Sequence, residues 1–152
     1  MNVWYECRIR YQKTAESGKE KKVSEIFLVD ALSFTEAESR IIEETRPFAG
    51  GEMKVTAIRL ANVTELFASD EAEDDKWYRV KAAFITLDEK SGKERRSSWY
   101  AMVQASTTER AEKHFHRRME GTLGDYRVES ITETAIMDVY PYAPGGETDE
   151  TR

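Results

Sequence analysis

Residues 4–22 read WYECRIRYQKTAESGKEKK, residues 77–96 read WYRVKAAFITLDEKSGKERR, and the likeness between these two stretches decides the fold. Each opens on Trp-Tyr and runs through alternating apolar and polar residues. Each then reaches a polar turn with Ser-Gly at its centre, Glu16 to Lys22 in the first and Lys90 to Arg96 in the second. Tyr5, Cys7, Ile9 and Tyr11 alternate with Glu6, Arg8 and Arg10, and Tyr78, Val80, Ala82 and Phe84 alternate with Arg79 and Lys81. Period-two alternation is the pattern of a half-buried strand. The Ser-Gly pair supplies the permissive backbone a hairpin turn needs.

Working outward, the same order of features recurs after each turn, and the spacing slips by one residue only at the hairpin. Ile26 to Ala31 and Tyr100 to Ala105 are mostly apolar runs. Both lead to a hydroxyl-rich helix start, where Ser33 with Glu36 and Ser106 with Glu109 match the capping-box spacing. Phe34, Ala37 and Ile41, then Ala111, Phe115 and Met119, form apolar stripes at helical spacing. Pro47 is expected to limit the first helix, and Gly121 with Gly124 the second. Strand-like Met53 to Ile58 and Tyr126 to Ile131 follow, and the short runs Glu65 to Phe67 and Asp138 to Tyr140 close the units. Repetition at this scale is the signature of duplication.

These readings give an α+β protein built from an internally duplicated β-β-α-β(-β) unit. Its antiparallel sheet or sheets would carry two helices packed on them in a pseudo-twofold arrangement. The expected organisation is a first repeat over 1–67, an acidic linker over 68–76, a second repeat over 77–142 and a disordered tail over 143–152, the two repeats sharing one compact domain.

A chain of 152 residues can build a core without disulfides or metal. Its three Trp, seven Tyr and six Phe argue for packing rather than disorder. The net charge of −6 gives no bulk attraction to nucleic acid or anionic membrane, so any such binding must be local. A single cysteine, Cys7, excludes an intrachain disulfide and a cysteine-rich zinc site. The N-terminal stretch lacks the apolar segment of a signal peptide and no run is long enough to span a bilayer, so a cytoplasmic location is expected.

The pattern WYECRIRYQKT, then KKVSEIFLVDALSFTEAESRIIEE, WYRVKAAFITLDEKSGKE and AIMDVYPY, resembles an uncharacterised family of small proteins from Bacteroidetes bacteria and their phages and mobile elements. That family is classed as a domain of unknown function. The resemblance runs from Asn2 to Tyr142 and implies a cytosolic, phage-related accessory protein. It implies no activity, ligand or catalytic residue.

The sequence feature most suggestive of binding is the doubled basic hairpin. Lys19, Lys21 and Lys22 recur as Lys93, Arg95 and Arg96, cations suited to phosphate groups. The bland alternative is that they solubilise exposed tips and discourage edge pairing. By strict alternation Trp4 and Trp77 fall on the face opposite the core, beside Arg8 and Lys81, where a ring next to a cation could stack a base. Trp99 is a third stacking candidate, because Trp99-Tyr100 stands where the first repeat has Glu25-Ile26.

Catalytic patterns are missing. His114 and His116 point about 200° apart on a helix and so cannot share one metal. Cys7 falls in the core-facing register, where a thiol behaves as a small hydrophobe. No nucleophile elbow, phosphate loop or zinc-protease motif occurs. The expectation is a non-enzymatic binding module without cofactor or metal, engaging a protein partner or a nucleotide-like anionic ligand. Nucleic-acid binding through the hairpins is the alternative, followed by a structural or assembly role. No membrane partner is expected, and a homodimer is one expected assembly.

Overall fold

The structure, a computed structural model, describes residues 3–49 and 51–141. The expected disordered tail over 143–152 lies outside the described residues, as does Gly50. The elements follow the doubled order read from the sequence. The first set is β1 (Val3–Thr14), β2 (Glu20–Ala31), α1 (Phe34–Ala49), β3 (Lys54–Leu60) and β4 (Glu65–Phe67). The second is β5 (Lys76–Leu87), β6 (Glu94–Ala105), α2 (Thr108–Arg118), β7 (Asp125–Glu133) and β8 (Ile136–Tyr140). The protein is α+β, with two four-stranded, mainly antiparallel sheets and two helices.

Each sheet is centred on a hairpin. In the first, β1 pairs antiparallel with β2 from Val3 opposite Ala31 to Thr14 opposite Glu20. In the second, β5 pairs with β6 from Lys76 opposite Ala105 to Leu87 opposite Glu94. Gly18 and Gly92 sit in the turns with φ of 85° and 71°, the left-handed region that the Ser-Gly pairs supply. On the outer side of the hairpin lies β3 in one sheet and β7 in the other. Both pairings carry a bulge at matching places, between Arg8 and Ile9 and between Lys81 and Ala82.

The fourth strand of each sheet comes from the other repeat. β8 pairs parallel with β2, and β4 pairs parallel with β6, giving the orders β3-β1-β2-β8 and β4-β6-β5-β7. The chain thus divides into one compact unit of residues 1–61 with 136–152, and a second of 62–135. The closing strands are exchanged between repeats.

In the first unit Tyr5, Cys7, Ile9 and Tyr11 are buried together with Ala37 and Ile41 of α1. Tyr78, Val80 and Ala82 are buried with Ala111 and Phe115 of α2 in the second. The two cores exchange volume between positions. Phe27 and Ile41 in the first unit become Ala101 and Phe115 in the second, all four buried. One large ring is kept while its attachment moves from strand to helix, a volume-conserving change of the kind cores tolerate.

Two local readings differ from the sequence expectation. Pro47 lies inside α1, which continues to Ala49. Ala49 joins the core and the Phe48 ring lies against Tyr11 and Phe27 at 5.7 and 6.0 Å, so packing outweighs the missing amide in the last turn. At α1 the expected box forms: the Ser33 hydroxyl accepts from the Glu36 amide at 3.1 Å, and Glu36 accepts from the Leu32 amide at 2.6 Å. At α2 the cap is Thr107 rather than Ser106, accepting from the Arg110 amide at 3.1 Å. The shift places Arg110, not Glu109, at the third helical position and frees its side chain for another role.

Candidate anion-binding site

Alternation along β1 sends Arg8 and Arg10 to the face opposite the helix, and the ladder decides their neighbours. Arg10 stands opposite Lys54 on β3 and Ser24 on β2, and Lys22 stands opposite Gln12 one row further. Like charges directly across a ladder repel, so Arg10 and Lys54 destabilise the sheet slightly. Arg8, Arg10, Lys22 and Lys54 are all exposed, and no described carboxylate lies within ion-pair distance of any of them. A cleft of about 470 Å³ opens beside Arg10, Lys22 and Lys54, with Glu52 the one acid on its lining.

The second unit repeats the frame with a smaller charge imbalance, in which Arg127, the counterpart of Lys54, is the cation left without an ion pair among the described residues. Ala83 takes the place of Arg10, and Arg96, the counterpart of Lys22, binds Glu129 at 3.0 Å. Lys81, the counterpart of Arg8, approaches the same Glu129 at 3.7 Å. One carboxylate therefore serves two cations here.

The six hairpin cations all reach the surface but do not act alike. Lys22 joins the open cluster and Arg96 is paired. Lys21 faces Lys13, which is engaged with Glu25 at 3.4 Å, and Arg95 faces Thr86. Lys19 and Lys93 belong to the turns, their carbonyls closing the loops with the amides of Ala15 and Asp88 at 2.8 Å. Arg10 and Lys54 are the residues that a search confined to hairpin tips passes over. The signal was present in the outward Arg8-x-Arg10 spacing.

The tryptophans separate as well. Trp4 is half-buried. Trp77, placed by alternation on the face away from the core, is only 4% exposed, because that face is also closed at Ala83 and Met102. Trp77 therefore has no open ring face for a base. Trp99 is half-buried, stacked on Phe84 with centroids 5.4 Å apart and an interplanar angle of 13°. Its indole nitrogen is buried without a hydrogen-bond partner.

The remaining polar chemistry is structural. Asp74, in the segment after β4, has a fully buried carboxylate gripped by Arg110 at 2.9 and 3.1 Å and by the Ser69 hydroxyl at 2.5 Å. The Arg110 contact holds its pKa down to about 2, with the Ser69 bond adding to the effect against the cost of burial. His114 lies 3.7 Å from the same carboxylate and 3.0 Å from the Gln104 carbonyl. Ser69 donates to the Asp74 carboxylate and not to the imidazole of His114. His116 meets the Tyr126 hydroxyl at 2.6 Å. Cys7 is inaccessible, its thiol pushed up to about 12 chiefly by burial. Among the described residues no group of three His, Cys, Asp or Glu is placed to hold a metal, and no helix is long and apolar enough to cross a membrane.

The first unit has a counterpart to the His114 contact. Arg40 of α1 donates to the carbonyl of Asp30, equivalent to Gln104, and to those of Tyr140 and Pro141 at 3.2 and 3.3 Å. Arg118 of α2 donates to the Ala68 carbonyl, just past β4, at 2.8 Å, so each helix holds the strand end received from the other repeat.

Comparison with curated proteins finds no match. A family model described as a domain of unknown function (DUF4494) matches residues 3–142, and the chain belongs to that family.

Proposed function

We propose that this protein is a non-enzymatic binding module that takes an anionic ligand, a nucleotide-like phosphate being the simplest, around Arg10, Lys22 and Lys54 on the outer face of its first sheet. The observation that carries the reading is the contrast between the units: among the described residues Glu129 pairs two of the frame's cations in one, leaving Arg127 alone, whereas Arg8, Arg10, Lys22 and Lys54 have no such carboxylate in the other. Clustered cations beside a cleft raise the local potential well above that of scattered surface lysines, even in an acidic protein. In a phage-related or mobile-element accessory protein of the cytoplasm, such a face would sequester a nucleotide or cover an acidic surface of a host protein.

Titration calorimetry with ATP tests this on the wild type and on the double variant Arg10→Glu, Lys54→Glu. The double variant is expected to weaken binding at least tenfold, whereas Arg95→Glu with Arg96→Glu changes it little. Equal affinity in all three proteins would refute the site. A single-stranded oligonucleotide forms the second arm, since nucleic-acid binding through the same face predicts an affinity that falls steeply with salt.

A further inference from the structure

In the second unit a cleft of about 450 Å³ opens where β4, β6 and the chain after α2 meet. Its walls are aromatic: the stacked Trp99 and Phe84, and Phe67, whose ring carries the Arg118 guanidinium 5.2 Å from its centroid. Glu65 lines the cleft too, so its two charges offset one another. Hydroxyls of Thr64, Ser97 and Thr122 supply further donors and acceptors.

The duplication provides an internal comparison. In the first unit Trp99 is replaced by Glu25, which accepts from the Tyr11 hydroxyl at 2.7 Å. There α1 runs for 16 residues and brings its own Phe48 ring against Tyr11 and Phe27. α2 stops after 11 residues, and the position matching Phe48 by the helix spacing is Thr122. Both units are open at this corner, but the first lines its cleft of about 510 Å³ with the Glu25 carboxylate and the Phe48 ring, whereas the second places the Trp99 indole and the small Thr122 there. Keeping Trp99 there leaves a buried N–H without a partner, a cost that packing alone would avoid by choosing a hydrocarbon side chain.

These features select a ligand class. A bare hydrocarbon would desolvate Glu65, Arg118 and the hydroxyls without replacing their hydrogen bonds. A simple anion would meet Glu65 as well as Arg118. A flat ring with donors and acceptors on its edge satisfies both demands, offering a face to the aromatic wall and an edge to the polar rim. We infer that the cleft bounded by Trp99, Phe84, Glu65 and Arg118 binds a heteroaromatic ring of the nucleobase class. The site is separate from the cationic face of the first unit and does not depend on it.

Uncharged nucleosides test the inference, because they carry no phosphate for the cationic face to hold. Adenosine, guanosine, cytidine and uridine would each be titrated into the full chain and its variants while the backbone amide resonances of the cleft residues Glu65, Ser98 and Thr122 are followed by NMR. At least one is expected to give a saturable shift, preserved in the Arg10→Glu, Lys54→Glu variant. Thr122→Phe, which restores the ring of the first unit, is expected to weaken binding at least tenfold. Trp99→Leu, its fold checked by circular dichroism, should abolish it. No saturable shift with any nucleoside at millimolar concentration would overturn the inference, and so would undiminished binding by both cleft variants.

Discussion

Arg110 and Glu36 occupy matching positions, the third residue of their helices, yet one holds a buried acid and the other closes a capping box. The Arg110–Asp74 pair has a definite pH signature. The folded pKa of Asp74 is about 2, below the value near 3.9 of an unfolded aspartate. Its contribution is therefore complete above the unfolded value and is lost as the pH falls through the folded one. The shift corresponds to on the order of 2 kcal/mol. Urea unfolding of wild type and Asp74→Asn should differ by about that amount at neutral pH and converge as the pH approaches 2. A difference that persists unchanged into acid would exclude the linkage. This acid lay in a stretch, ASDEAEDDK, that reads only as a polar linker. Nothing local distinguishes Asp74 from its acidic neighbours, because its partner is supplied by a helix 36 residues away. Cys7, by contrast, was legible: alternation alone put it in the core. Its thiol should resist disulfide reagents until the protein is denatured, which a spectrophotometric thiol titration with and without urea would show.

Among the elements, the hairpins, helices and bulged outer strands could be read from pattern because each is specified by its own residues. Period-two alternation fixed which face of β1 and β5 is buried, down to Tyr5, Cys7, Ile9 and Tyr11. The short strands were visible as Glu65 to Phe67 and Asp138 to Tyr140, but their partners were not. A parallel pair between β2 and β8 spans about a hundred residues of chain, and no local signal encodes a pairing of that separation. The outward face misled in another way, since Trp77 follows the alternation correctly yet is buried. The helix ends supply a simple test. Ser33→Ala and Thr107→Ala should each cost about 1 kcal/mol in denaturant unfolding, whereas Ser106→Ala should cost little, which would locate the second cap. The helix contacts to the received strands give another. Arg40→Ala should speed hydrogen exchange of β8 amides without altering those of β4, and Arg118→Ala, which loses its 2.8 Å bond to the Ala68 carbonyl, should do the reverse.

Across the whole molecule, duplication was legible and the division into units was not, because the units do not follow the repeats. The cationic face and the aromatic cleft arose in different copies, each where that copy departs from its twin: Arg10 against Ala83, and Trp99 against Glu25. Once the copies are aligned such departures can be found in sequence. What they enclose could not, since it depends on strands supplied from elsewhere in the chain. A chain ending at Ala135 should lose the edge of the first sheet. Trp4 is the only tryptophan of that unit, so its fluorescence in a Trp77→Phe, Trp99→Phe background should report a lower urea midpoint than that of the full chain. An unchanged midpoint would mean β8 contributes little to that unit.

The exchanged strands also set an order in time. A ribosome releases β1, β2, α1 and β3 first, yet the sheet they form waits for β8, while the second unit, held within 62–135, has all its strands earlier. The half that is born first is finished last. During that interval the edge of β2 is bare, a template for the β8 of a neighbouring chain as readily as for its own. Crowded synthesis on one messenger would then yield reciprocally linked pairs, and slow, dilute expression single chains.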